Sequence, residues 1–162
     1  MTLITPTVVP NAPAVDHVVA RAFEVTFTPA DSRVRRMRQV TADQLRLWNL
    51  VDLRDDAMIV VSELVTNAIR HGKGRPIRLR VTRSDTELRV EVADGNPTPA
   101  RLRSAGETDE NGRGLELVAA LSKDWGVSPD GTTTWCSLAI PHCDRATAGR
   151  GRAPGAGRPE GP

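Results

Sequence analysis

The chain has 162 residues, a formal net charge of +2, three Trp, two Phe and no Tyr, so one domain of ordinary size with a core of Val, Leu, Ile and Ala is expected. Residues 144–162 hold four Arg against one Asp and one Glu, which leaves the body balanced and argues against a nucleic-acid-binding face. No apolar run reaches the roughly eighteen residues of a membrane span. No basic-then-apolar leader opens the chain, and Cys136 and Cys143 are too few for a disulfide framework or a zinc cluster, so a cytoplasmic protein away from the membrane is expected.

Residues 1–21 are rich in Pro, Val and Ala and show no sustained period, and a disordered N-terminal segment is expected there. The body then runs over residues 22–143. FEVTF alternates and predicts a strand over residues 23–28. Pro29-Ala30-Asp31 opens a helix with apolar positions at Val34, Met37, Val40, Leu45 and Trp48. A second helix begins at Asp52 or Arg54 and runs to about Arg70, ended by His71-Gly72 with Pro76 soon after. IRLRVTR and ELRVEVA alternate strictly around Ser84-Asp85, which is a hairpin signal. A Pro-containing loop runs from Asn96 to Asn111, and Gly112-Arg113-Gly114 starts a short helix. Residues 124–129 and 132–140 predict a last strand pair turning at Asp130-Gly131. Residues 144–162, mostly Gly, Ala, Arg and Pro, are expected to be a disordered tail. The order β-α-α-β-β-α-β-β predicts an α+β fold: a two-layer α/β sandwich with a mixed, mainly antiparallel sheet and helices on one face.

Three polar features stand out against this frame. On the second helix, Ala57, Val61, Leu64, Val65 and Ala68 form an apolar stripe. Glu63 and Asn67, four apart, share a face beside it. Alone, such a pair reads more readily as solvated surface. The strand LRVEVA stops at Asp94, followed by Gly95, Asn96 and Pro97. An ionised carboxylate there accepts hydrogen bonds only, which suits an amino group on a base, although alone it reads more readily as a turn Asp stabilising its own loop. In Asn111-Gly112-Arg113-Gly114 the glycines would let backbone N–H groups approach a phosphate at a helix start.

Taken in order, ELVTNA on a helix, D-G-N-P after a strand and G-R-G-L before a helix resemble the GHKL superfamily of gyrase-type ATPases, histidine kinases and anti-sigma-factor serine kinases. The resemblance covers about residues 23–140. SELVTNAIRHG and the closing GTTTWCSL are similar to the anti-sigma-factor kinase branch. The resemblance implies the Bergerat ATP-binding fold with ATP and Mg2+ as cofactors. It gives Glu63 the role of general base and Asn67 that of magnesium ligand. It makes Asp94 the adenine-reading acid and Gly112 and Gly114 the phosphate-contacting glycines. Thr132 resembles a threonine supporting the adenine pocket, with Thr133 and Thr134 as alternative registers. Arg70 or His71 could reach a phosphate, while their commoner role is to complement the helix dipole.

One departure is specific. The superfamily pattern D-x-G-x-G reads here Asp94-Gly95-Asn96-Pro97-Thr98, so Asn96 and Thr98 stand where two glycines are expected. The loop from Thr98 to Asn111 is short for an ATP lid and carries Glu107, Asp109 and Glu110. The function implied is an ATP-dependent serine/threonine protein kinase, an anti-sigma regulatory factor acting on an anti-anti-sigma (STAS-type) protein and holding a sigma factor. A homodimer is expected from the same resemblance. A non-catalytic module that binds a nucleotide or a partner, and a detached ATPase that switches a partner's conformation, are the alternatives.

Overall fold

The computed structural model describes residues 21–97 and 113–141. The expectations for residues 1–20 and 144–162, for Gly112, and for the loop from Thr98 to Asn111 lie outside those residues. Arg21, assigned from sequence to the N-terminal segment, begins the first strand.

The elements follow the expected order: β1 (Arg21–Phe27), α1 (Asp31–Leu47), α2 (Arg54–His71), β2 (Ile77–Arg83), β3 (Glu87–Ala93), α3 (Arg113–Leu121), β4 (Asp124–Val127) and β5 (Thr133–Ala139). A single 3-10 turn, Val51–Leu53, links α1 to α2. The sheet order is β1-β2-β3-β5-β4, and all four pairings are antiparallel. The fold is α+β, at the antiparallel end of what the pattern implied.

Alternation along each strand separates the two faces of the sheet. Leu79 and Val81 of β2, Leu88 and Val90 of β3, and Cys136 and Leu138 of β5 point to the helices and are buried. Against them α2 lays Ala57, Val60, Val61, Leu64, Val65 and Ala68, all buried. From α1 come Met37, Leu45 and the capping Trp48, which meets Phe23 of β1 with ring centroids 5.9 Å apart. The other face is polar. The register lines up Glu24, Arg80, Glu91 and Trp135 across four strands. Arg89 lies over the Trp135 ring at 4.0 Å, a cation–π contact.

Local chemistry sets the breaks between elements. Asn49 at φ 58° ends α1: its N–H reaches the Arg46 carbonyl at 3.1 Å, and the Leu50 N–H reaches Leu45 at 2.8 Å. That pair of bonds is a Schellman closure with Asn in the left-handed position. The β2–β3 loop includes Thr86 as well as Ser84 and Asp85, because Ser84 Oγ accepts the Glu87 N–H at 3.0 Å. Asp55 and Asp56 in the first turn of α2, and Arg70 and His71 in its last, complement the helix dipole. Among the described residues no helix is long and apolar enough to cross a membrane.

Candidate functional site

The buried stripe of α2 fixes its rotation against the sheet, and that rotation leaves Glu63 and Asn67 half-buried at the edge of the helix layer. Neither side chain hydrogen-bonds or ion-pairs with another described residue. A half-buried carboxylate and carboxamide with unused acceptors, one helical turn apart, form a ready donor set for an external group. Along the helix axis they are about 6 Å apart.

Gly114, in the first turn of α3, lies directly over Glu63. A Cβ there would stand 3.2 Å from Glu63 Cδ and overlap the carboxylate. The absence of a side chain at residue 114 is therefore what lets the start of α3 close on Glu63. The sequence assigned Gly114 a phosphate contact; its described neighbour is the Glu63 side chain.

Asp94 stands at the C-terminal end of α2. Gly72, just past the last residue of the helix, allows the close approach: a Cβ on it would fall 3.1 Å from Asp94 Cβ and 2.6 Å from the Ala68 carbonyl oxygen. About 7.5 Å of helix axis separates Asn67 from Gly72. Burial pushes the Asp94 carboxyl above the usual aspartate range, and the Asn96 N–H and the nearby His71 and Arg75 charges partly offset that rise. Its backbone N–H donates to the Thr132 carbonyl at 3.1 Å. The Thr132 side chain turns away, with its Oγ1 donating to Asp130 Oδ1 at 2.9 Å. Thr132 thus holds Asp94 through its backbone. Thr133 and Thr134, the alternative registers, pair with Ala93 and Val92 in the sheet.

Five features of the site were not read from the sequence. Asn96 is buried. Its backbone N–H donates to Asp94 Oδ1 at 2.8 Å, and its Nδ2 donates to the His71 carbonyl at 2.7 Å. Arg75 Nη1 donates to the Gly95 carbonyl. Gly131, at φ 76°, packs on Pro97. An Asp-x-Asn run signals a local Asx turn, but the partners at His71 and Gly131 are far away in sequence and no local pattern reveals them. Arg70 and His71 occupy the exposed last turn of α2.

Along the axis of α2 the order is therefore Glu63, Asn67 and then Gly72 with Asp94 beside it, with Gly114 over Glu63 and the Asn96 turn next to Asp94. Among the described residues no three His, Cys, Asp or Glu side chains could enclose a metal ion by themselves. Asn67 can offer one hard oxygen, which suits a magnesium ion that takes its other ligands from phosphates and water.

An uncharacterized protein of Streptomyces coelicolor is 40% identical over 75 residues, covering 44% of this chain and 71% of that protein. Residues 27–138 match the histidine kinase-like ATPase domain, a span that contains every described element except most of β1 and the end of β5, and the chain belongs to that family.

Proposed function

We propose that the chain is an ATP-binding anti-sigma regulatory factor that phosphorylates a serine or threonine of an anti-anti-sigma-type (STAS) partner and so controls transcription. The observation that carries this reading is the order of groups along α2, Asp94 beside Gly72, then Asn67, then Glu63 under Gly114. An adenine nucleotide bound with its base at Asp94 would run its phosphates toward Asn67 and Glu63. Family membership supports the nucleotide. The likeness of SELVTNAIRHG to the anti-sigma kinase branch supports the transfer and the partner.

In this reading the chain's own residues do little covalent chemistry, as is general for phosphoryl transfer. Asp94 accepts a hydrogen bond from the base amino group. Asn67 would hold a magnesium ion, which would neutralise charge on the phosphates. Glu63 accepts the proton of the incoming hydroxyl as that oxygen bonds to the terminal phosphorus and the bond to the bridging oxygen breaks, releasing ADP. Gly114 keeps the Glu63 carboxylate covered on one side.

A second reading has one observation in its favour. Asn96 fills a position where the superfamily pattern has glycine, and its buried side chain ties that turn down. A module that holds nucleotide without transferring phosphate fits such a turn.

Incubation of the purified chain with γ-labelled Mg-ATP and candidate STAS-type proteins separates the two. Transfer should be lost in Glu63→Gln while ATP binding persists, and both should fall in Asn67→Ala. Binding without transfer to any partner would establish the module, and absence of nucleotide binding would overturn both readings.

A further inference from the structure

Among the described residues the large apolar side chains that stand in solvent are Leu47, Val51, Ile59 and Leu117. Leu47 and Val51 flank the link between α1 and α2. Ile59, 39% exposed, and Leu117, 45% exposed, belong instead to the two helices that meet where Gly114 covers Glu63. Ile59 stands one turn before Glu63, about 6 Å along α2, and Leu117 stands one turn after Gly114, about 4.5 Å along α3. Both steps lead the same way. Gly72, just past α2, meets Asp94 at the end of β3, whereas Lys123, just past α3, bonds Glu87 at the start of β3. The two helices therefore run in opposite directions along the sheet. Ile59 and Leu117 fall together on the side of Glu63 away from Asn67 and Asp94. A hollow lined by Arg113, Glu116 and Leu117 opens beside them. The charged groups of these turns are acidic on balance, with Asp55, Asp56, Glu63 and Glu116 against Arg54 and Arg113, and Arg54 is engaged by Asp55 at 3.8 Å.

We propose that Ile59 and Leu117 dock the acceptor partner, through a segment that presents a large apolar side chain next to its serine or threonine hydroxyl and a basic residue nearby. The proposal rests on the transfer reading above. In phosphoryl transfer the incoming oxygen and the oxygen it displaces lie roughly in line through phosphorus. A nucleotide extending from Asp94 past Asn67 fills one side of Glu63. The incoming hydroxyl then reaches Glu63 from the other side, which is the side that Ile59 and Leu117 occupy. An apolar side chain beside that hydroxyl covers the pair and takes it out of water. A Lys or Arg close by answers the excess of carboxylates and orients the segment.

The test uses the STAS-type protein that accepts label in the transfer assay, with the full chain, Ile59→Gln and Leu117→Gln. Glutamine keeps the helix propensity of these positions. The KM for the acceptor is expected to rise by about tenfold in each variant, the order of one large apolar side chain half-buried on docking. In the unmodified chain it should rise with added salt. Mg-ATP affinity, kcat and melting temperature should hold. An unchanged KM in both variants, with transfer intact, would overturn this proposal and leave the transfer reading standing. A lower melting temperature in the variants would show that the chain itself covers the pair, and loss of a dimer in sedimentation would assign the pair to a second copy; either result overturns the proposal. Absence of transfer from the unmodified chain to any STAS-type protein would overturn the transfer reading and the docking proposal with it.

Discussion

At Asp94 the requirements of folding and of binding oppose each other. Burial holds its carboxyl above the ordinary aspartate range, against the smaller pull of the Asn96 N–H and of His71 and Arg75. The folded chain therefore takes up this proton more readily than the unfolded chain does. Ionised Asp94 lowers stability at pH values above its folded pKa, and that cost fades as the pH falls through the folded pKa toward the unfolded one. Asp94→Asn is expected to raise the melting temperature at pH 7, with the gap to the unmodified chain closing in acid. The same variant places an amide where a base amino group needs a charged acceptor. Its ATP affinity should fall by about tenfold or more, the loss of a charge-assisted hydrogen bond. Calorimetry and nucleotide titration check the two halves separately. A variant that melts lower at pH 7 would show that the neighbouring donors and cations outweigh burial.

Helix α2 joins core and site within eighteen residues. Leu64 is 1% exposed and stands next to Glu63. Leu64→Ala should cost about 2–5 kcal/mol of unfolding free energy, measurable as a lower denaturant midpoint with the slope preserved. The period of this helix was plain in the sequence: Ala57, Val61, Leu64, Val65 and Ala68 repeat at helical spacing, and all are buried. That period also put Glu63 and Asn67 together, since any two residues four apart on a helix are neighbours. The 3-10 turn before the helix and the third residue of the hairpin loop escaped, because both are local adjustments a residue or two long. What brings Gly114 onto Glu63, Gly72 against Asp94 and Asn96 to His71 is packing between elements distant in sequence, and no periodicity encodes it. The resemblance to known ATPase sequences supplied the candidate residues Glu63, Asn67, Asp94 and Gly114. It could not supply the Asn96 link, which occupies a position where the pattern has glycine.

For the molecule as a whole, the sheet order matters most. Placing β5 beside β3 brings Thr132 to the Asp94 N–H and Gly131 to Pro97, so residues 94–97 after β3 are fastened at two points to the turn between β4 and β5. Among the described residues those fastenings lie at the edge of the sheet, whereas the middle of α2 is enclosed by the core. Opening should follow this division. In native-state hydrogen exchange, the amides of Val60 to Ala68 are expected to exchange only through global unfolding, with a steep dependence on denaturant. The Asn96 amide, bonded to the side chain two residues before it, should exchange through a local opening that denaturant barely affects. Equal denaturant dependence at the two places would mean that the turn and the helix open as one unit.

The sharing of one helix by core and site has a thermodynamic consequence. A ligand held at Glu63 and Asn67 rests on a segment expected to lose its structure only when the entire domain does. Its binding free energy is therefore added to the stability of the native state as a whole. At a hundred times its Kd it would add about 2.7 kcal/mol, a rise of about 5–10 °C in melting temperature for a domain of this size. Occupancy of this site can thus be read from heat alone. Nucleotides, metal ions and partner proteins could be ranked by thermal shift before any reaction is assayed.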